Sequence, residues 1–280
     1  MHAWYLMSGR AHLPYLVVSL HTLRRAGYDG TIRVYAWAES FDLVAIIAKD
    51  GRLDIEAHYD SPPYRGRNDQ FLRKIQIAQQ QSTPSLYLDA DTLICADPTP
   101  ILTALGPASF VATQFNDWPT DGGMARSRIL DLADVKEIDQ RFVLETIQPG
   151  HLSLNGGVWA ACPDSPVLPL WHAWTWAARG KFIADEKVLH LMQTRFPDEV
   201  AIMADCWNVS PKLKQSNLKD EDVCLWHGHG DSFSRPNKSQ RGVDLWLPIF
   251  REVVEQNIGG INDWGIPLHC DNRFLKELLK

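Results

Sequence analysis

The chain has no apolar run approaching the ~20 residues that a helix needs to cross a bilayer, and Met1–Gly9 is too short and too soon interrupted to read as a signal peptide. Cysteine is sparse: Cys95, Cys162, Cys206, Cys224 and Cys270 are scattered, odd in number and without a Cys-x-x-Cys pair. That excludes a disulfide framework and a zinc knuckle. It fits free thiols in a reducing compartment, so a cytoplasmic location is the expectation. No long basic run is present, and the formal charge of −6 argues against a nucleic-acid partner. Internal repeats, linkers and low-complexity segments are missing too. What remains is a chain of 280 residues with an ordinary apolar fraction, long enough for one large α/β domain, or for one domain with a helical appendage. Tryptophan is in excess, with eleven, and most of these read as core.

Strand and helix patterns alternate from the N-terminus. Ala3–Met7 reads as a buried strand and Ser8-Gly9-Arg10 as its turn. Leu13, Leu16, Val17, Leu20 and Leu23 then recur at helical spacing, with Pro14 in the first turn and Gly27 as a stop. A strand over Ile32–Ala36, a helix over Phe41–Ala48 and a strand over Leu53–His58 follow. After the loop Ser61-Pro62-Pro63, a helix opens at Asn68 or Asp69 with Phe71, Leu72, Ile75 and Ala78 on one face. Further on, a short helix spans Ile101–Leu105 and a strand Phe110–Thr113, before a polar excursion from Phe115 to Gln148 with one helix around Val135–Ile147. A helix from Asp164 or Ser165 carries Leu170, Trp171, Trp174 and Ala178 on one face, with the tryptophans read as core. A helix after Ala184 turns Val188, Leu191 and Met192 inward, and strands lie at Ala201–Met203 and Val223–Trp226. A helix over Leu245–Val254 and a terminal helix packing Phe274, Leu275 and Leu278 complete the chain. This alternation means an α/β protein with a mostly parallel central sheet, flanked by helices, whose ligands sit at the carboxyl ends of the strands.

One stretch organises the rest: Ser85-Leu86-Tyr87-Leu88-Asp89-Ala90-Asp91-Thr92-Leu93-Ile94. Read as a buried strand, it runs straight into two acids two residues apart, which point to one side of extended backbone. Two such carboxylates repel unless positive charge lies between them, and a divalent cation bridging to a phosphate supplies it. A strand end turning through two solvated acids fits the same spacing, and the spacing alone does not choose. Ser8-Gly9-Arg10 falls at a second strand end. Gly156-Gly157, inside Leu152–Ala160, marks a bulge or a close backbone approach to a ligand. Asp185 also suits a helix N-cap, and Lys74 a solvated helix face.

Taken together, four stretches resemble the GT-A glycosyltransferases, and most closely the glycogenin-like and lipopolysaccharide galactosyltransferase-like retaining enzymes. They are Tyr5–Leu23, Leu86–Asp91, Leu154-Asn155-Gly156-Gly157-Val158 and Trp226-His227-Gly228-His229-Gly230, in the family's order and over about residues 3 to 236. The resemblance implies a GT-A domain over residues 1–240 with a C-terminal helical extension over 241–280. It implies Mn²⁺ or Mg²⁺ held by Asp89, Asp91 and His227 on the diphosphate of a nucleotide sugar, commonly a UDP-sugar. His227 is preferred to His229 because the family pattern is His-x-x-Gly. Ser8 and Ala90 would border the nucleoside, and Asn155, Gly156 and Gly157 the donor sugar. Asp185 would contact the sugar hydroxyls and, with Asn155, position the sugar for reaction. Lys74, Arg235 and Lys238 are candidates for the phosphates. The sequence departs from the family pattern at Glu186, where glutamine is usual, and after Gly230, where Ser234-Arg235-Pro236-Asn237-Lys238 replaces Lys-Pro-Trp.

The implied activity is transfer of a sugar, with retention, from a nucleoside diphosphate to a hydroxyl of a glycan, lipid-linked or protein acceptor. Two competitors stand beside it. Leu86–Leu93 also fits the Asp-x-Asp-x-Thr motif of haloacid-dehalogenase-like phosphatases, in which Asp89 would attack phosphorus. A non-catalytic sugar-nucleotide binder is the third reading.

Overall fold

The computed structural model describes residues 1–61, 69–114, 123–147, 151–212, 218–229 and 232–264. The expectations placed on Pro62, Pro63, Asn68, Phe115, Gly230 and the helix carrying Phe274, Leu275 and Leu278 lie outside these residues.

The first half of the chain alternates as its hydrophobic pattern requires. Its elements are β1 (His2–Met7), α1 (Leu13–Arg25), β2 (Thr31–Ala36), α2 (Ala38–Ile47), β3 (Ile55–Tyr59), α3 (Asp69–Gln79), β4 (Ser85–Leu88), β5 (Thr92–Ile94) and α4 (Thr99–Thr103). The second half brings β6 (Phe110–Gln114), α5 (Gly123–Leu130), α6 (Gln140–Thr146), β7 (Leu154–Ala161), α7 (Val167–Ala177), α8 (Ala184–Arg195), β8 (Val200–Met203), β9 (Leu225–His227) and α9 (Gln240–Glu255).

Seven strands form one sheet in the order β3-β2-β1-β4-β7-β6-β8. Four of its pairings are parallel, and β7 runs antiparallel to both β4 and β6. The sheet is therefore mostly parallel, and helices cover both faces. Alternation along β4 sends Leu86 and Leu88 to one face, in a core with Leu16, Val34, Trp246 and Phe250. Tyr87 goes to the other, with Trp4, Phe110, Trp159 and Trp171. Trp171 is fully buried on α7, and Trp174 packs half-buried against Phe142, so both belong to the core as their helical spacing suggests. Trp246 and Phe250 on α9 share the core of the N-terminal strands.

Several boundaries differ from the sequence reading, each for a local reason. Ser85–Ile94 is two strands in two sheets: β4 stops at Leu88, the chain turns through Ala90 and Asp91, and β5 pairs antiparallel with β9. The turn is closed by the Thr92 hydroxyl, which donates to the Asp89 carbonyl at 2.9 Å. β3 begins only at Ile55 because Asp54 takes a left-handed conformation, φ 47°. The polar excursion carries two helices rather than one, since α5 precedes α6. α6 starts at Gln140, capped by Asp139, whose side chain accepts from the Arg141 amide at 2.9 Å. α9 starts at Gln240 because Ser239 caps it through the Gly242 amide at 3.0 Å.

α8 is tied to the start of β7 by His190, fully buried. Its Nδ1–H donates to the Glu186 carbonyl at 2.6 Å, and its Nε2 accepts from the Leu154 amide at 3.1 Å. Burial, helped by nearby Arg128, pushes this imidazole down to about 3. Burial and Arg33 likewise push His2 down to about 4. Both are neutral in the folded chain, whereas the unfolded chain takes up protons near pH 6.5. Stability is therefore full above pH 6.5 and is lost as pH falls toward the folded values, at about 1.4 kcal/mol per pH unit for each group. Unfolding free energies measured by denaturant between pH 7 and pH 5 are expected to fall accordingly. His190→Gln should remove about one proton from the slope; an unchanged slope would refute this assignment.

Candidate metal and ligand site

The carboxyl end of β4 sets the site. One residue beyond the strand, the Asp89 amide donates to the Gly157 carbonyl at 2.7 Å, which pins the first acid against β7. At the same level β7 is bulged: the register with β6 jumps from Ala112↔Trp159 to Thr113↔Asn155, leaving Gly156, Gly157 and Val158 unmatched. The glycines are required by space. A Cβ at Gly157 would strike Cε1 of His227, and it would lie 2.5 Å from Oδ2 of Asp89. At Gly156 it would lie 2.9 Å from Oδ2 of Asp185 and 3.0 Å from Nζ of Lys74. The glycine pair is thus both a bulge and a close approach, but the groups that approach are the site's own side chains.

The β5–β9 pairing delivers the third residue. Thr92 lies opposite His227, and the Gly228 amide donates to the Asp91 carbonyl at 2.7 Å. Nε2 of His227 consequently stands 3.3 Å from Oδ1 of Asp91 and 3.5 Å from Oδ2 of Asp89. One ligand atom from each residue falls within 4.8 Å of the others, and among the described residues this is the one cluster of three metal-ligating side chains so placed. His229 is half-buried, its ring 3.7 Å from that of His227, but it is not part of the cluster.

The electrostatics follow from this packing. Burial alone would lower the His227 imidazole, but Asp91 and Asp89 outweigh it and push it up to about 10. Burial would raise Asp89, but Lys74 and His227 outweigh it and hold the carboxyl at about 2. The imidazolium thus occupies the electrostatic role of a cation between two acids. Burial and Asp89 push the Tyr87 phenol well above its ordinary range, so it remains a donor, and its hydroxyl donates to Oδ1 of Asp89.

Lys74 is not a solvated helix residue. It is buried, with Nζ 2.6 Å from Oδ2 of Asp185 and 2.7 Å from the Gly156 carbonyl. Burial would lower its ammonium, and Asp185 and Asp89 reverse that and raise it. Nor is Asp185 an N-cap: α8 is preceded by Ile183 in a left-handed conformation, and the buried Asp185 points inward from the first turn.

A cleft of about 150 Å³ opens beside these groups. Ser8, Lys74, Asp89, Ala90 and Asp91, all named from the sequence, line it together with His12, Gln70 and Phe71, which were not. Arg235 and Lys238 are exposed in the turn before α9, and neither lines this cleft.

Asn208 is the most informative residue missed. Its Oδ1 lies 2.9 Å from Nδ1 of His227, and its Nδ2 donates to Thr113 Oγ1 at 2.8 Å and to Asn155 Oδ1 at 3.2 Å. Two backbone groups fix the direction of these bonds. The Gly157 amide donates to Asn155 Oδ1 at 2.7 Å, and the Thr113 hydroxyl donates to the Val158 carbonyl at 2.7 Å, which leaves its oxygen to accept. Asn208 must then turn its own oxygen to His227. Nδ1 carries a proton, and Nε2 is the nitrogen that faces the acids. Such an outer hydrogen bond is what orients a metal-binding imidazole. The short strand before Trp207-Asn208-Val209 was legible, but no spacing rule points at Asn208.

The donor set of two carboxylates and one imidazole, beside a cleft with room for further oxygens, suits Mn²⁺ or Mg²⁺. No protein-family model matches this sequence, and no curated protein does. Solved structures do. The galactosyltransferase LgtC, in complex with donor and acceptor sugar analogues, superposes with a TM-score of 0.61 at 16% identity, over 90% of this chain and 96% of that one. The bifunctional glycosyltransferase WbbM matches with a TM-score of 0.60 at 11% identity, over 89% of this chain and 49% of that one. Mouse xyloside xylosyltransferase 1 matches with a TM-score of 0.56 at 11% identity, over 82% of this chain and 98% of that one. The chain has the GT-A glycosyltransferase fold.

Proposed function

We propose that this chain is a metal-dependent glycosyltransferase that moves a sugar from a nucleoside diphosphate, a UDP-sugar in the first instance, to an acceptor hydroxyl with retention. One observation carries the reading: Asp89 and Asp91, which line the cleft with Ser8 and Ala90, converge with His227 from a distant part of the sequence. Structures with the same fold are named as galactosyl- and xylosyltransferases, which adds support.

Asp89, Asp91 and His227 would hold Mn²⁺, and the ion, when bound, offsets the charge growing on a departing diphosphate. The chain's own residues do the rest. Tyr87 and Asn208 orient two of the ligands. Ser8 and Ala90 border the nucleoside. Asn155, Gly156 and Gly157 form the floor under the sugar, and Asp185, neutralised by Lys74, offers an acceptor to its hydroxyls. Arg235 and Lys238 stand outside the cleft, and their proposed role is at the diphosphate from the rim. Among the residues that line the cleft the only carboxylates are Asp89 and Asp91, both assigned to the metal, which favours a same-face displacement assisted by the leaving phosphate. The phosphatase reading fits less well: one carboxylate oxygen of Asp89 accepts from Tyr87 and the other faces His227, so neither is free to attack phosphorus.

The test is a panel of nucleotide sugars and nucleoside diphosphates, each with and without Mn²⁺, read by thermal shift and by sugar transfer to water and to glycan acceptors. A ligand at 100 times its dissociation constant adds about 2.7 kcal/mol. Stabilisation by UDP species only with Mn²⁺, together with turnover, is the expected result. Stabilisation without any turnover would favour the non-catalytic binder, and no stabilisation by any nucleotide would refute the site.

A further inference from the structure

Arg128 projects from α5, in the polar excursion that carries none of the residues already placed in the site. Its Nη1 lies 2.5 Å from Oε2 of Glu186, and both side chains are largely buried. The other carboxylate oxygen, Oε1, accepts from Nδ2 of Asn155. From there the chain of hydrogen bonds runs through Asn155 and Asn208 to Nδ1 of His227. Polar side chains thus connect α5 without a break to the imidazole that faces the two acids.

We infer that Arg128 is a positioning residue for this site: it holds Glu186 as an ionised, acceptor-only carboxylate, and Glu186 orients Asn155 and, through Asn208, the imidazole of His227. The reasoning is one of donor and acceptor direction. A carboxylate can only accept, so it selects the NH₂ end of Asn155, and this turns the Asn155 oxygen toward the Gly157 amide and Asn208. A carboxylate buried at this depth keeps its charge only with a partner, and Arg128 is the cation set against it. Without the guanidinium, Glu186 either takes up a proton and becomes a donor, or turns toward Lys74. Either outcome leaves the orientation of Asn155 to the Gly157 amide and Asn208. The arrangement also shows how a glutamate is accommodated here: the arginine supplies the neutrality that an amide would have had by itself.

A competing account is that Arg128–Glu186 only clasps α5 to α8, as the neighbouring Asp131–Lys187 pair does. Mn²⁺ alone, counted free and bound by electron paramagnetic resonance on the full chain, separates the two. The inference rests on the metal reading above, so wild-type protein that binds no Mn²⁺ sinks that reading first. Given wild-type binding, Arg128→Met is expected to weaken Mn²⁺ by about tenfold or more, the size typical of losing an outer-sphere partner. Glu186→Gln, whose amide oxygen accepts from Asn155 without needing a counter-charge, should stay within about threefold of wild type. The double variant R128M/E186Q should return to within about threefold as well, which a clasp broken at both ends would not do. Asp131→Asn, which opens the neighbouring clasp, should leave Mn²⁺ affinity unchanged. Unchanged or tighter binding in R128M, a double variant as weak as R128M or unable to fold, or an equal loss in D131N would each overturn the inference.

Discussion

Asp89→Ala and Asp91→Ala are each expected to weaken Mn²⁺ binding by about 10³-fold and to remove Mn²⁺-dependent binding of UDP with it. Two unit charges 4 Å apart interact by about 4 kcal/mol at an effective dielectric of 20, and a divalent ion doubles that. If desolvation cancels half, about 4 kcal/mol remains, which is the stated factor. The two variants should differ in the ion-free protein. Asp89 is pinned by the Tyr87 hydroxyl and by its own amide on Gly157, and it is one of the charges that hold Lys74 protonated, so its loss also disturbs the packing beneath the site. Asp91 hangs from the turn after it, and its loss mainly relieves His227 of its nearest acid. Calorimetry with Mn²⁺, then with UDP in saturating Mn²⁺, reads both effects. Undiminished binding in either variant would mean that the acids are a solvated strand end after all.

The second large effect is expected at Lys74. Lys74→Met leaves the Asp185 carboxylate, 1% exposed, without the ammonium that now sits 2.6 Å away. The carboxylate of Asp185 has no other hydrogen-bond partner among the described residues, so nothing local absorbs its charge. Removing one member of such a pair costs about 3–5 kcal/mol, a large part of the stability of an ordinary domain. For a chain of this size that is a drop in melting temperature of order 10 °C. The Gly156 carbonyl keeps a second donor in the Trp159 indole at 3.0 Å, so the loss should trace to the charge. K74M/D185N, which removes both charges, is expected to recover most of the stability. If the double variant melts no higher than K74M, the destabilisation comes from lost packing against Phe71 and Tyr87, whose rings lie 5.5 and 5.3 Å from Nζ.

What was legible in the sequence was whatever follows from period and covalent spacing. The strands and helices of the first half and the burial of Trp171 are local; the two acids were read on one side of extended backbone, whereas Asp91 lies in the turn after β4. His227 could be placed only through a resemblance, because its partner strand β5 lies far away in the sequence. The split of Ser85–Ile94 into two strands was missed because an apolar run says nothing about which sheet it joins. The burial of Lys74 was not legible for a similar reason: on its helix it looks solvated, and only the bulge in β7 and the inward turn of α8 bury it. Asn208 and Arg128 carry no motif, since their importance lies in which way an amide or a guanidinium faces.

The pairing of β5 with β9 has a consequence for how the protein comes to exist. The two acids leave the ribosome long before the imidazole does, and closing so long a loop is a slow, late step in folding. Until β9 arrives, a nascent chain carries two adjacent negative charges with neither imidazolium nor ion-binding geometry to relieve them. On the proposed metal reading, a chain that ends before His227 lacks the third ligand and is expected not to hold the ion.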